Sequence, residues 1–319
     1  MKIFMIVGVF SLALLAASCG KQKTQNAYDF IVLADTAYVI PDDNIAYDAL
    51  INRINEEASS FAIHLGDVLG LADCGDETLQ RVKGDFGKFE KPLIYTPGDN
   101  EWTDCHKKLN GEYDPVERLK ALRHIFFSAG ISFGREKLTL HQQAGAETVE
   151  NSLWQKGEVL YATVHIVGSN NGLKENSFQD KNSEFYMRNE ANKKWLRKVF
   201  RQAAESGVQA LVLACHANIF IPSGTQDGFA DMRTMIGQLG DEFDKPVLLV
   251  HGDHHQFLID RPYSKKPGRS FGANITRLQT FGWPDAKAVK IHVDTSTEAV
   301  FSFAPLYVGE GLYPSTISN

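Results

Sequence analysis

Short apolar runs alternate with amphipathic stretches along most of this chain. Phe30–Asp35 (FIVLAD) reads as a strand, and the apolar spacing after it predicts a helix over Asn44–Ser59. Phe61–Asp67 (FAIHLGD) is a second strand, followed by a helix over Glu77–Glu90. Lys91–Thr96 is a third strand, stopped by Pro97-Gly98. This β-α-β-α-β succession implies parallel strands with right-handed crossovers. A longer excursion holds a helix over Pro115–Phe127, where Pro115 suits a first turn. Val159–Gly168 is the next strand, and a helix over Asn189–Ser206 carries Trp195, Leu196, Val199 and Phe200 on one apolar face. Ala210–Cys215 and Val247–His251 are strands, with a helix over Phe229–Leu239 between them. Beyond Gln256 the helical period is lost, and Gln256–Asp260, Asn274–Thr280, Ala288–Val293 and Ala299–Ala304 read as antiparallel strands. The expected fold is α/β, a four-layer sandwich of two mixed β-sheets packed together and flanked by helices. No linker rich in Pro, Gly or Ser divides the chain, so residues 28–310 are expected to form one domain.

The ends of the apolar runs carry the chemistry. Asp35 follows FIVLA, Asp67 follows FAIHLG, Asp99 and Asn100 follow PLIYTPG, His216 follows LVLAC, and His251-Gly252-Asp253-His254-His255 follows PVLLV. Parallel strands bring such ends to one sheet edge, where open α/β sheets place their ligands. Taken singly, an Asp after a strand is usually a turn or cap residue, and a His there is usually a hydrogen-bonded loop residue. Five such positions in chain order make a constellation, and carboxylates with imidazoles at one edge are divalent-metal ligands by default.

Composition narrows the setting. The 319 residues are 43% hydrophobic and 23% charged with a formal net charge of −6, so there is no basic footprint for nucleic acid. Lys2, the apolar run Ile3–Leu15 and the small residues Ala16-Ala17-Ser18 before Cys19 read as an export signal. Small residues directly before a Cys resemble the bacterial lipoprotein signal. Residues 1–18 are therefore expected to be removed, Cys19 lipidated, and residues 19–27 left as a tether to a membrane. Export permits disulfides. Cys74 and Cys105 lie in loops just after two of the strand-end clusters and are expected to pair. Cys215, inside ALVLAC, is expected to be a buried thiol.

In this order, ADTAY, HLGDVLG, PGDNEW, ACHAN and HGDHHQF resemble the motif series of the calcineurin-like metallophosphoesterases, over about Tyr28–Pro305. That series runs Asp-x-His, Gly-Asp, Gly-Asn-His-Asp/Glu, a lone His after a strand, then Gly-His-x-His. The resemblance extends to exported bacterial members with GDNEW and HGDxH motifs. It implies a β-sandwich flanked by helices with two metal ions at the strand ends. Asp35 and Asp67 match the first ligand and the bridging carboxylate. Asp99 aligns with the Asn ligand and Asn100 with the catalytic His, although a one-residue slip would make Asn100 the ligand. His216 matches the lone His; Asp253 replaces the first His of the last motif and His255 keeps the second. Ala37 stands where a ligand His is usual, and Tyr38, one residue on, is a candidate replacement.

The resemblance implies that Asp35 and His255 hold one metal, that Asp99 or Asn100, His216 and Asp253 hold the other, and that Asp67 bridges. Such a carboxylate-rich set favours Mn, Mg or Fe over Zn. The implied reaction is hydrolysis of a small phosphate mono- or diester by metal-activated water. With Asn100 in the catalytic His position, His106, His251 or His254 could supply a proton, and His254 has the best address, between two ligands. Glu101, Trp102 and His64 are expected to support the loops. The alternative reading is a catalytically weak or inactive binding protein on the same fold.

Overall fold

The computed structural model describes residues 27–70, 72–145, 148–174, 182–222, 225–263 and 272–308. The expected export signal, Cys19 and most of the expected tether lie outside the described residues. In chain order the strands are β1 (Ala27–Leu33), β2 (Ser59–His64), β3 (Leu93–Tyr95), β4 (His141–Gln142), β5 (Ser152–Lys156) and β6 (Val159–Thr163). They continue with β7 (Ala210–Ala214), β8 (Val247–His251), β9 (Leu258–Asp260), β10 (Ile275–Gln279), β11 (Ala288–Asp294) and β12 (Phe301–Leu306). One sheet has the order β12-β11-β1-β2-β3 and the other β4-β5-β6-β7-β8-β10-β9. Both are mixed: β1, β2 and β3 run parallel, as do β6, β7, β8 and β10, with antiparallel strands toward the edges.

Burial on two faces explains why the central strands are apolar throughout rather than alternating. In β1, Phe30 and Val32 face the second sheet, packing with Tyr161, Val212, Leu248 and Val250. Their neighbours Ile31 and Leu33 face the other way, toward the helices Asn44–Asn55, Asp76–Phe86 and Pro115–Phe126. The second sheet repeats this: Leu211, Leu213 and Leu249 pack on Trp195, Leu196, Val199 and Ile236 of the helices Ser183–Glu205 and Ala230–Phe243. The three apolar layers make the four-layer sandwich expected from the sequence. Pro115 opens its helix as expected, behind Asp114, whose carboxylate accepts the Glu117 N–H at 2.8 Å.

Three local expectations are corrected. β10 does not belong to an antiparallel tail; it runs parallel to β8, with Gln279 opposite His251, and only β9 pairs with it antiparallel. The long helix starts at Ser183 rather than Asn189, because Phe185 and Arg188 are also buried against the body. β5 was not foreseen; it forms a tight hairpin with β6 in which Lys156 pairs with Val159 across Gly157 and Glu158, with Gly157 at φ +55°. Cys74 and Cys105 form a disulfide, and Cys215 is a buried free thiol. No helix among the described residues is long and apolar enough to cross a membrane.

Candidate metal centre

The parallel strands of both sheets end at one edge, and each of the five clusters begins there. Asp35 lies just past β1, Asp67 past β2, Asp99 and Asn100 past β3, His216 past β7, and Asp253 and His255 past β8. Four of these side chains leave the strand from a left-handed backbone: Asp35 at φ +55°, Asp67 at +52°, Asp253 at +75° and His255 at +56°. That region is uncommon for residues with a Cβ, and here it recurs at one edge four times. The turns aim the side chains at a common point. Asp35, Asp67 and His216 each offer a ligand atom within 4.8 Å of the others, and so do Asp99, His216 and Asp253. His216 belongs to both groups: its Nε2 is 3.4 Å from Asp67 Oδ1, 3.0 Å from Asp99 Oδ1 and 3.9 Å from Asp253 Oδ1. Its Nδ1 is 2.8 Å from the Leu65 carbonyl, a contact that fixes the ring and turns Nε2 to the carboxylates.

Asp35 is fully buried, and Asp67 and Asp99 are nearly so. Burial pushes Asp67 well above the usual carboxylate range; His216 opposes the shift, while Asp99, Glu101 and Asp35 add to it. Burial disfavours a charge on His216, yet the carboxylates Asp67, Asp99 and Asp35 raise its pKa well above the usual imidazole value. Carboxylates buried this close together favour a cation among them over a charged, unpaired cluster. Asp99 Oδ1 and His216 Nε2 are both buried and face each other without forming a well-directed hydrogen bond, as donors arranged for a shared ion do. Gly168 completes the cradle: a Cβ there would lie 2.3 Å from Asp99 Oδ1 and 2.8 Å from Asp253 Oδ1. The donor set and its packing fit divalent metal ions.

Tyr38 takes up the space left by Ala37. Its hydroxyl donates to Asp67 Oδ2 at 2.8 Å and lies 3.4 Å from Asp35 Oδ1 and 3.2 Å from His255 Nε2. Burial first, then Asp67 and Asp35, raise the Tyr38 pKa above the usual phenol range. Its ring stacks on His255 and presses against Gly70, where a Cβ would come within 1.5 Å of Tyr38 Cδ1. His255 is 3.4 Å from Asp35 Oδ1 through Nε2 and 2.7 Å from the Trp283 carbonyl through Nδ1. Burial disfavours its charge, but Asp35 prevails and the pKa is raised.

The remaining named residues fall in different places. Asn100 lines the cavity at the cluster and donates its backbone N–H to Asp67 Oδ1 at 3.1 Å. The three histidines weighed as proton donors do not line that cavity. His254 pairs with Asp253 Oδ2 at 3.3 Å and lines a neighbouring cavity, turned there by the left-handed backbone on either side of it. His106 Nδ1 is 2.7 Å from the Thr103 carbonyl of its own turn, and buried His251 contacts the Gly252 carbonyl. Glu101 is fully buried and accepts the N–H groups of Val68 at 2.8 Å and Gly98 at 2.9 Å, strapping the Asp67 loop to the Asp99 loop. Trp102 lies under the Arg188 guanidinium, and His64 Nδ1 accepts the Gly66 N–H.

Sequence reasoning missed the segment Gly168–Asn171. Ser169, Asn170 and Asn171 are consecutively left-handed, at φ +48°, +57° and +58°. Buried Arg188 holds the turn through Asn171, at 2.6 Å to its Oδ1 and 2.8 Å to its carbonyl. Ser169 Oγ lies 2.8 Å from Asp99 Oδ2 and 3.0 Å from Asp104 Oδ1. A Gly-Ser-Asn-Asn run reads as an ordinary turn; the one available signal was its place at the end of a strand parallel to the two that carry His216 and Asp253.

No protein-family model and no curated protein sequence matches the chain. Solved structures do. The structure of PhoD superposes with a TM-score of 0.55 at 11% identity, over 84% of this chain and 64% of that one. This chain thus spans less than two thirds of the PhoD chain. A dimetal phosphatase from Danio rerio superposes with a TM-score of 0.50 at 10% identity, over 88% of this chain and 99% of that one. With two mixed sheets packed between helices and these neighbours in structure, the chain has a metallophosphoesterase-like fold.

Proposed function

We propose that this protein is a metal-dependent phosphoesterase that hydrolyses a small phosphate mono- or diester with water. The observation that carries the reading is the cluster of Asp35, Asp67, Asp99 and Asp253 around His216, most of it buried, at the strand-end edge of this fold. Asp35, Asp67 and His255 would hold one ion, beside the Tyr38 hydroxyl; Asp99, His216 and Asp253 would hold the second. Asp67 is the natural bridge, since Oδ1 faces His216 and Oδ2 faces Tyr38. Divalent ions there would supply a water nucleophile at neutral pH and polarise phosphoryl oxygens. Carboxylates outnumber imidazoles, which favours Mn, Mg or Fe over Zn.

Asn100, in place of the resembled family's catalytic His, has an amide that can orient an ester by hydrogen bonds but cannot act as a general acid. His106, His251 and His254 lie off the cavity, so none of the three stands where it could protonate the leaving group. Such a site works best on esters with good leaving groups, aryl phosphates among them. The leader and the Cys74–Cys105 disulfide favour an exported enzyme tethered through lipid on Cys19. The test is metal analysis of the purified mature chain together with aryl phosphate hydrolysis, before and after Asp67→Asn. The substitution is expected to abolish turnover and lower bound metal. Near-normal turnover with two ions still bound would sink the assignment.

A further inference from the structure

The cavity at the cluster, about 390 Å³, is lined by Asp67, Asp99, Asp253 and His255 of the cluster and, beside them, by Lys107 and Trp283. Lys107 is the sole Lys or Arg among the described residues that line it. We propose that Lys107 binds a non-bridging oxygen of the substrate phosphate, and that the substrate class is a phosphate monoester. This inference rests on the phosphoesterase reading.

The placement of Lys107 is built rather than incidental. It follows a turn of Thr103–His106 whose Cys105 is tied to Cys74 by the disulfide. Two residues after Lys108, buried Asn110 donates to the Gly70 and Ala72 carbonyls at 3.1 and 3.0 Å, which fixes the other end of the segment. Lys107 Nζ donates to Asp104 Oδ2, and Asp104 Oδ1 reaches Ser169 Oγ, which in turn reaches Asp99 Oδ2 at 2.8 Å. The ammonium is thereby registered against the second half of the metal centre. Asp104 takes one of its three N–H donors and leaves two.

Charge and oxygen count select the ester. Four carboxylates offset two divalent ions, so the cluster offers little net attraction for a dianion, and a further cation must come from beside it. An ester phosphate held at both halves of the site gives one non-bridging oxygen to each half. A diester has no third; a monoester does, and Lys107 stands beside the cluster to receive it as a charge-assisted hydrogen bond.

The probe is inorganic phosphate, titrated calorimetrically into the Mn²⁺-loaded protein, its Lys107→Met variant and its Lys107→Arg variant. Lys107 is more than half exposed, so neither change should disturb folding. The Met variant is expected to bind phosphate about 10–100-fold more weakly at unchanged metal content, the range for one hydrogen bond to a charged group, and Arg is expected to restore most of it. In parallel, kcat/KM for p-nitrophenyl phosphate should fall by a similar factor in Lys107→Met while that for bis(p-nitrophenyl) phosphate stays nearly constant. Equal phosphate affinity in wild type and Lys107→Met overturns the proposal, as does an equal fall for both esters. In those cases metal and turnover persist and the phosphoesterase reading stands. A chain that takes up no metal removes that reading and this inference together.

Discussion

Glu101 offers the sharpest test of how the two metal-side loops are held. Its carboxylate is fully buried and accepts a backbone N–H from each loop, Val68 beside Asp67 and Gly98 beside Asp99. Glu101→Ala leaves both donors buried without a partner. Each unsatisfied donor costs about 1–3 kcal/mol, so the pair costs about 2–6 kcal/mol before any loss from the space vacated. Glu101→Gln keeps the shape and one acceptor but turns an amide N–H toward the second donor, and so costs roughly half as much. Urea unfolding in the presence of chelator reads the stability without any contribution from bound metal; the midpoint should fall while the slope stays constant. Titration with Mn²⁺ should then show affinity weakened about 10–100-fold, as for lost outer hydrogen bonds of metal sites. If Glu101→Ala unfolds within about 0.5 kcal/mol of the parent, the size of a neutral surface change, the strap does not exist as described.

Gly168→Ala places a Cβ against Asp99 and Asp253 together, so metal affinity should fall by about 10–100-fold; unchanged affinity would mean that the Gly168 turn does not back the site. Cys74→Ser with Cys105→Ser opens a loop with a sequence separation of 31 and is expected to lower stability by about 3–4 kcal/mol on the chain-entropy account, read by urea unfolding. In the same protein Cys215, buried and with its pKa pushed up to about 12 by burial, should label with iodoacetamide only on unfolding. Asp253→His exchanges a charged oxygen donor for a neutral nitrogen, so competitive titration should show Zn²⁺ gaining on Mn²⁺; an unchanged ratio would mean that Asp253 serves only its contacts to the Asn218 N–H and His254.

Much of the fold was legible because central strands buried on both faces read as unbroken apolar runs, and their ends could be placed within a few residues. β10 was misjudged because composition does not distinguish a parallel neighbour from an antiparallel one; partner order decides, and the chain returns to β8 only after β9. The β5–β6 hairpin did carry a local signal, Gly157-Glu158 between apolar residues, but it was hidden in a long excursion that lacked other landmarks. Strand-end chemistry announced where the candidate site lies, yet not which side chains turn into it. His254 and His255 are adjacent, and only the left-handed backbone at Asp253 and His255 determines that His255 reaches Asp35 while His254 lines another cavity.

The glycines around the cluster bear on how its departures from the resembled family's motifs are accommodated. Replacement of a ligand imidazole by Ala37 leaves a gap, and the Tyr38 ring that fills it fits only because residue 70, on a different loop, has no side chain. Replacement of neutral donors by Asp99 and Asp253 crowds two carboxylates, and they fit only because residue 168, on a third loop, has none either. Gly70 closes HLGDVLG and Gly168 lies outside the five motifs, and a Cβ at either would collide with the side chains just named. Two departures from the resembled motifs are thus each accommodated by a glycine distant in sequence and touching it in space, so that the carboxylates and the Tyr38 phenol close on one point, as the proposed metal centre requires.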